Sequence, residues 1–194
     1  MHRRKVSHFV PVHFMISHCT QIDTNSTCHM AVVSVTPIAK RYTDNVIRFS
    51  AWATRTLIVR QLKGLDDIIP TTVVSPRMDE HGWPFANIDP FPGAEKDPLY
   101  GADHLKDVYL RVSPDYKGRF TVPLLFDNKT QSIVNNESSD IIRIFNSAFN
   151  HLLPPEKARL DLYPEPLRSE IDELNAWVYD TVNSMTTLTL SHLS

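Results

Sequence analysis

Apolar residues fall in short runs from Tyr42 onward, and their spacing changes from run to run. Tyr42 to Phe49 places Val46, Ile47 and Phe49 at the tip of a strand, although Asp44, Asn45 and Arg48 weaken it as a buried central one. From Trp52 to Leu62, Ala53, Leu57, Ile58 and Leu62 recur at helical spacing, and Gly64 stands where a left-handed residue ends a helix. Asp67 to Val74 reads as a strand, with Pro70 demoting its first half to an edge or entry position. Strand, helix and strand with short connections predict a βαβ unit with a right-handed crossover.

Periodicity then dissolves between Ser75 and Asp103, where Gly82-Trp83-Pro84-Phe85, Asp89-Pro90-Phe91-Pro92-Gly93 and Asp97-Pro98-Leu99-Tyr100 interrupt any regular element. An irregular insertion this long is functional or disordered, and its aromatic content argues against disorder. His104 to Val112 is a short amphipathic helix with Leu105, Val108 and Tyr109 inward. Thr121 to Phe126 is a strand, Asp127-Asn128-Lys129 a hairpin turn, and Gln131 to Val134 the antiparallel partner. Glu137 to Asp140 opens a helix that buries Ile141, Ile142, Ile144, Phe145, Ala148 and Phe149. Pro166 to Val182 predicts a last helix, with Leu167, Ile171, Leu174, Val178 and Val182 on one face, whereas Ser184 to Ser194 has no helical period.

The first forty residues follow none of these patterns. Arg3, Arg4 and Lys5 precede Phe9 to Ile16, and no acid appears before Asp23, which suits a presequence interrupted by Pro11 and His13. The expectation is therefore an irregular leader over 1–40, an ordered domain over 41–150, and a linker, helix and atypical tail over 151–194. A cytoplasmic location is expected, with a mitochondrial one as the alternative that the basic leader suggests. A length of 194 residues, 42% hydrophobic and 22% charged, with a net charge of −2, describes an ordinary soluble globular chain. Scattered basic residues argue against a nucleic-acid partner, and no apolar run approaches the roughly 20 residues that span a bilayer. His18-Cys19 and Cys28-His29 match no zinc spacing, so no metal is expected.

Three places carry candidate chemistry. Ser50 leads Ala51-Trp52-Ala53-Thr54-Arg55 into a helix, where unpaired N–H groups favour an anion or a nucleophile. It is either a cap or a reacting group. Pro123 opens a buried strand without an N–H to donate, a position often reached through a cis peptide that turns the N–H and C=O of Val122 toward a ligand. Glu137-Ser138-Ser139 offers hydroxyls and free N–H groups to a carboxylate. Singly, an edge proline and a capping box explain the last two. Together they lie at the ligand edge of a thioredoxin-like order, β-α-β, an insertion with a helix, then β-β-α.

Arg41-Tyr42, Trp52-Ala53, Arg55-Thr56-Leu57-Ile58, Leu62-Lys63-Gly64-Leu65, Gly82-Trp83-Pro84-Phe85, Tyr116 to Pro123, Leu125-Phe126-Asp127, Ile133 to Ser139 and Leu162-Tyr163-Pro164 resemble the glutathionyl-hydroquinone reductases, the Xi-class, omega-like glutathione transferases. The resemblance implies an α/β, thioredoxin-like (βαβ-insertion-ββα) N-terminal glutathione transferase domain followed by the first helix of an incomplete all-α domain. It implies glutathione as co-substrate and a hydroquinone or another electrophile as second substrate. Val122, before a cis Pro123, would pair with the cysteinyl backbone of glutathione. Glu137 and Ser138 would hold its γ-glutamyl amine and carboxylate, Trp83 would pack over the tripeptide, and Arg119 would lie near the glycine end.

In that family a cysteine at the helix start attacks the glutathionyl sulfur, releases the hydroquinone and is regenerated by a second glutathione. This chain has Ser50 in place of the cysteine, Ala51 in place of a proline and Thr54 in place of a histidine. A hydroxyl forms no disulfide, so thiol exchange is not expected at Ser50; a hydrogen bond to the thiolate of bound glutathione leaves room for conjugation, and the activity expected is weak or altered. The last helix and tail resemble a truncated helical domain whose apolar face is a candidate homodimer surface. The alternatives are a non-catalytic glutathione-binding or protein-interaction module, and a thioredoxin-fold domain without glutathione affinity.

Overall fold

The computed structural model describes residues 28–32 and 50–183. The strand expected over Tyr42 to Phe49 and the tail from Ser184 lie outside them. Four strands form one sheet in the order β2-β1-β3-β4: β1 Cys28–Val32, β2 Thr71–Val73, β3 Leu124–Asp127 and β4 Ser132–Asn135. β1 runs parallel to β2, with Ala31 opposite Thr72, and antiparallel to β3, with Met30 opposite Leu125. β3 and β4 make the expected hairpin, with an irregular register between Leu125 and Phe126.

The leader expectation is overturned at β1. Residues placed there in an irregular segment form a central strand, because both of its partners are supplied by chain far downstream. The second expected strand shortens to Thr71–Val73, since Asp67 to Ile69 are drawn into the turn that follows the first helix. Ile69 N–H donates to the Leu65 carbonyl at 2.8 Å, and Arg60 Nε donates to the Ile69 carbonyl at 2.6 Å.

Helix α1, Ala51–Lys63, begins at the Ser50 cap and ends at Gly64, whose φ of 71° is the left-handed conformation a helix end requires. Its buried line differs from the apolar spacing. Ala53, Thr56 and Lys63 are buried, while Ile58 and Leu62 are 52% and 47% exposed. Buried polar groups are satisfied: Thr56 Oγ1 donates to the Ala53 carbonyl, and Lys63 Nζ to Asn150 Oδ1 at 2.9 Å. α2 is Leu105–Val112, α3 Ser138–Ser147 and α4 Pro155–Ala158. α1 packs along α3, which buries Ile141, Ile144 and Phe145, followed by Ala148 and Phe149. Ile142, expected inside, is only half-buried.

The insertion is ordered by its own polar groups. Glu95 covers the outer edge of β2 by bonding both the N–H and the C=O of Val73. His104 Nε2 meets Asp79 Oδ2 at 2.8 Å, which holds the Asp79 carboxyl below its usual range. Asp97, nearly buried, accepts N–H bonds from Leu99, Tyr100 and Ala102. Phe85, Leu99, Leu105 and Val108 close over Leu124 and Phe126.

Tyr109 on α2 is fully buried and donates to the Thr121 carbonyl at 2.8 Å. Burial pushes its hydroxyl from 10.0 up to about 12. The unfolded chain loses this proton near pH 10 and the folded chain keeps it to about pH 12, so stability is full below that window and falls as pH rises through it. The fall is about 2–3 kcal/mol. Urea midpoints measured at about pH 9 and pH 12 should drop accordingly, and Tyr109→Phe should abolish that part of the drop. An equal drop in the variant would contradict the assignment.

Leu160–Asn183 belong to a second compact unit. A 3₁₀ turn, Glu165–Leu167, leads into α5, Arg168–Val178, and a π turn over Tyr179–Asn183. The expected last helix is thus present in three segments, with Leu167, Leu174, Trp177, Tyr179 and Val182 exposed.

Candidate functional site

Ser50 is half-buried at the start of α1. Its Oγ accepts from Ala53 N–H at 3.2 Å, as a capping hydroxyl does, which leaves its own hydrogen to donate elsewhere. Thr54 turns its hydroxyl back onto the Ser50 carbonyl at 3.1 Å. No acid lies in this first turn to cancel its partial positive charge.

The Val122–Pro123 peptide is cis, and the β3 ladder begins only at Leu124. Val122 therefore stands ahead of the paired backbone. Thr121 before it is held twice, through its carbonyl by Tyr109 and through Oγ1 by Asn136 Nδ2 at 3.2 Å. Glu137 caps α3 by accepting from Ser139 N–H at 3.3 Å, and its own N–H donates to Asn135 Oδ1 at 2.6 Å. Ser138, 2% exposed, is the first residue of that helix.

Arg55 ties the two helix starts together. Its Nε and Nη2 donate to Ser138 Oγ at 3.0 and 2.6 Å, and Nη2 lies 3.6 Å from Glu137 Oε1. The guanidinium stacks on Trp52, 4.8 Å from the ring centre. Burial pushes its pKa below the ordinary arginine value, opposed by the charges of Glu137 and Asp140.

Arg55 thus joins Glu137 and Ser138 to the helix that Ser50 caps, and Asn136, next to Glu137, holds Thr121, next to Val122 and the cis Pro123. Trp83 is half-buried against the core, and its carbonyl accepts Leu105 N–H at 2.9 Å. Arg119 is exposed and enters only through its main chain, whose carbonyl accepts Tyr116 Oη at 3.2 Å. Tyr116 folds so closely over Gly118 that a Cβ there would lie 2.5 Å from its hydroxyl. Among the described residues, no side-chain hydrogen bond joins Trp83 or Arg119 to the others. Arg55, Asn135 and Asn136 were not singled out from sequence. Arg55 and Ser138 are 83 positions apart, and no local pattern announces such a bond. Among the described residues no group of three or more His, Cys, Asp or Glu is placed to hold a metal ion.

A cis peptide ahead of a β-hairpin, a mixed sheet and two helix starts joined by an arginine can be compared with known families. A family model of the glutathione S-transferase N-terminal domain matches residues 49–148. The chain belongs to the glutathione S-transferase family. Its sheet and first helices form the thioredoxin-like N-terminal domain of that family. The Xi glutathione transferase of Phanerochaete chrysosporium is 62% identical with a TM-score of 0.71, over 81% of this chain and 46% of that one. Glutathionyl-hydroquinone reductase YqjG of Escherichia coli is 53% identical over 69% of this chain and 39% of its own. Its glutathione-bound structure superposes with a TM-score of 0.68, covering 83% of this chain and 46% of that one. Glutathione S-transferase omega-like 2 of Schizosaccharomyces pombe is 50% identical over 76% of this chain and 47% of its own. This glutathione transferase chain spans about half the length of the curated relatives it matches or less.

Proposed function

We propose that this chain binds glutathione along the edge built by Ser50, Val122, Pro123, Glu137 and Ser138. The observation that carries the reading is the meeting of two helix starts through Arg55, an acid and a hydroxyl on one and an unionised hydroxyl on the other. The Glu137 carboxylate suits the γ-glutamyl ammonium. The Ser138 hydroxyl and the N–H groups of the first turn of α3 suit its carboxylate. Val122, ahead of the β3 ladder, offers its main chain to the cysteinyl unit, which brings the thiol toward Ser50. Trp83 covers the tripeptide and Arg119 stands at the glycine end. Glutathione in the YqjG and yeast ECM4 structures supports this ligand.

At Ser50 the chemistry differs from thiol exchange. A serine hydroxyl is not ionised at neutral pH and cannot form the mixed disulfide with glutathione. Because Ala53 N–H occupies its acceptor side, the hydroxyl hydrogen is available to a glutathione thiolate and lowers its pKa. The reading is thus a glutathione transferase-like protein that activates glutathione for an electrophile, with hydroquinone release weak. The second reading, a glutathione-binding module without turnover, is favoured by the same Ser50.

Calorimetric titration with glutathione tests the site. Glu137→Gln and Ser138→Ala are each expected to weaken binding by about tenfold or more, since each removes a charge-assisted partner. Unchanged affinity in both would refute the site. Binding without conjugation of any electrophile would select the second reading.

A further inference from the structure

We propose that Asn136 is the positioning residue that fixes the spacing between the main chain before the cis Pro123 and the start of α3; the inference deepens the glutathione reading and rests on it. Through that spacing it sets the length of link the site accepts between the amino end of the ligand and its thiol-bearing unit. Leu125 opposite Asn135 is the last pair of the β3–β4 ladder on this side. Pro123, two residues earlier, has no N–H with which to extend it. A side chain takes over there. Asn136 Nδ2 donates to Thr121 Oγ1 at 3.2 Å, which ties the residue before Glu137 to the residue before Val122.

Each half of the edge is otherwise held from its own side. The Thr121 carbonyl accepts from the hydroxyl of Tyr109, a fully buried ring on α2, at 2.8 Å, and Glu137 N–H donates to Asn135 Oδ1 at 2.6 Å. Neither bond links one half to the other. The Asn136 amide does, and its nitrogen, with two hydrogens, also lies 3.5 Å from Tyr116 Oη. Tyr116 donates in turn to the Arg119 carbonyl at 3.2 Å and packs against Tyr109 and Phe120, with ring centres 5.0 and 5.6 Å away. The aromatic cluster keeps the 116–121 loop from moving aside, so Asn136 holds a distance instead of following the loop. A ligand that engages both halves then gains fully only when its own span matches, because a preorganised site does not shrink to meet a shorter one.

Calorimetry with two peptides tests this: glutathione, and β-aspartyl-cysteinylglycine, which is glutathione with one methylene fewer in that link. The wild-type chain should prefer glutathione by about fivefold or more. Asn136→Ala should weaken glutathione about fivefold while changing the shorter peptide less than about twofold. Thr121→Val, which removes the accepting hydroxyl, should do the same, and Thr121→Ser should stay within about twofold of the wild type for both peptides. Because both losses break one bond, the double variant Asn136→Ala, Thr121→Val should bind glutathione within about twofold of either single one. Equal weakening of both peptides, or losses that multiply in the double variant, would show that Asn136 supports the fold without setting the spacing. Unchanged glutathione affinity in both single variants would also overturn the proposal. If Asn136→Ala does not fold, Thr121→Val and Thr121→Ser decide. Wild-type protein that binds neither peptide removes the glutathione reading and this one together. Glutathione binding without a preference in the wild type, or with indifferent variants, removes this one alone.

Discussion

Replacing Ser50 by cysteine is expected to raise hydroquinone release from a glutathionyl-hydroquinone by about a thousandfold or more over the natural chain. Position 50 already supplies what a thiolate needs. The capping atom receives Ala53 N–H, the first turn of α1 brings no acid, and the helix start carries partial positive charge. In the exchange the thiolate attacks the glutathionyl sulfur, the carbon–sulfur bond breaks toward the ring, and the ring carbon takes a proton. A protein–glutathione disulfide remains. A second glutathione attacks it, giving oxidised glutathione and free thiolate, so the net two-electron reduction of the ring is balanced by one disulfide. Chromatography of the hydroquinone and mass spectrometry of the protein read both halves. A variant that binds glutathione yet shows neither adduct nor release would place Ser50 away from the reacting sulfur.

Asp97→Ala is expected to lower stability by about 2–4 kcal/mol, the largest effect expected of a substitution outside the site. The nearly buried carboxylate gathers the N–H groups of Leu99, Tyr100 and Ala102. Losing it releases the loop that sets Tyr100 edge-on against Phe126, 6.0 Å away. Asp97→Asn keeps one oxygen and should cost about half as much. Urea titration measures both, and an unchanged midpoint in Asp97→Ala would show that the loop is held by its apolar contacts alone.

Local signals were legible where the physics is local. Ser50 and Gly64 bound α1 as expected, because capping bonds and a positive φ depend only on neighbours within a turn. Glu137 starts α3 for the same reason, and the β3–β4 hairpin follows from its turn residues. The inward face of α1 was not legible. Spacing marked Ile58 and Leu62, yet docking on α3 turned Thr56 and Lys63 inward, where Ala53 and Asn150 satisfy their polar atoms. Cys28–Val32 were illegible as a strand, since five residues without alternation acquire that role only between β2 and β3.

The sequence by itself determined the thioredoxin-like order of elements from α1 onward, the family, and the hydroxyl that stands at position 50. Each of these is carried by residue identity or by contacts within a turn. Tertiary structure alone decided that Arg55 reaches Ser138, that Asn136 holds Thr121, and that the start of α1 meets the start of α3. Bonds across such separations exist only once the helices have packed, because a chain that has not yet buried its core cannot hold those groups within hydrogen-bonding distance.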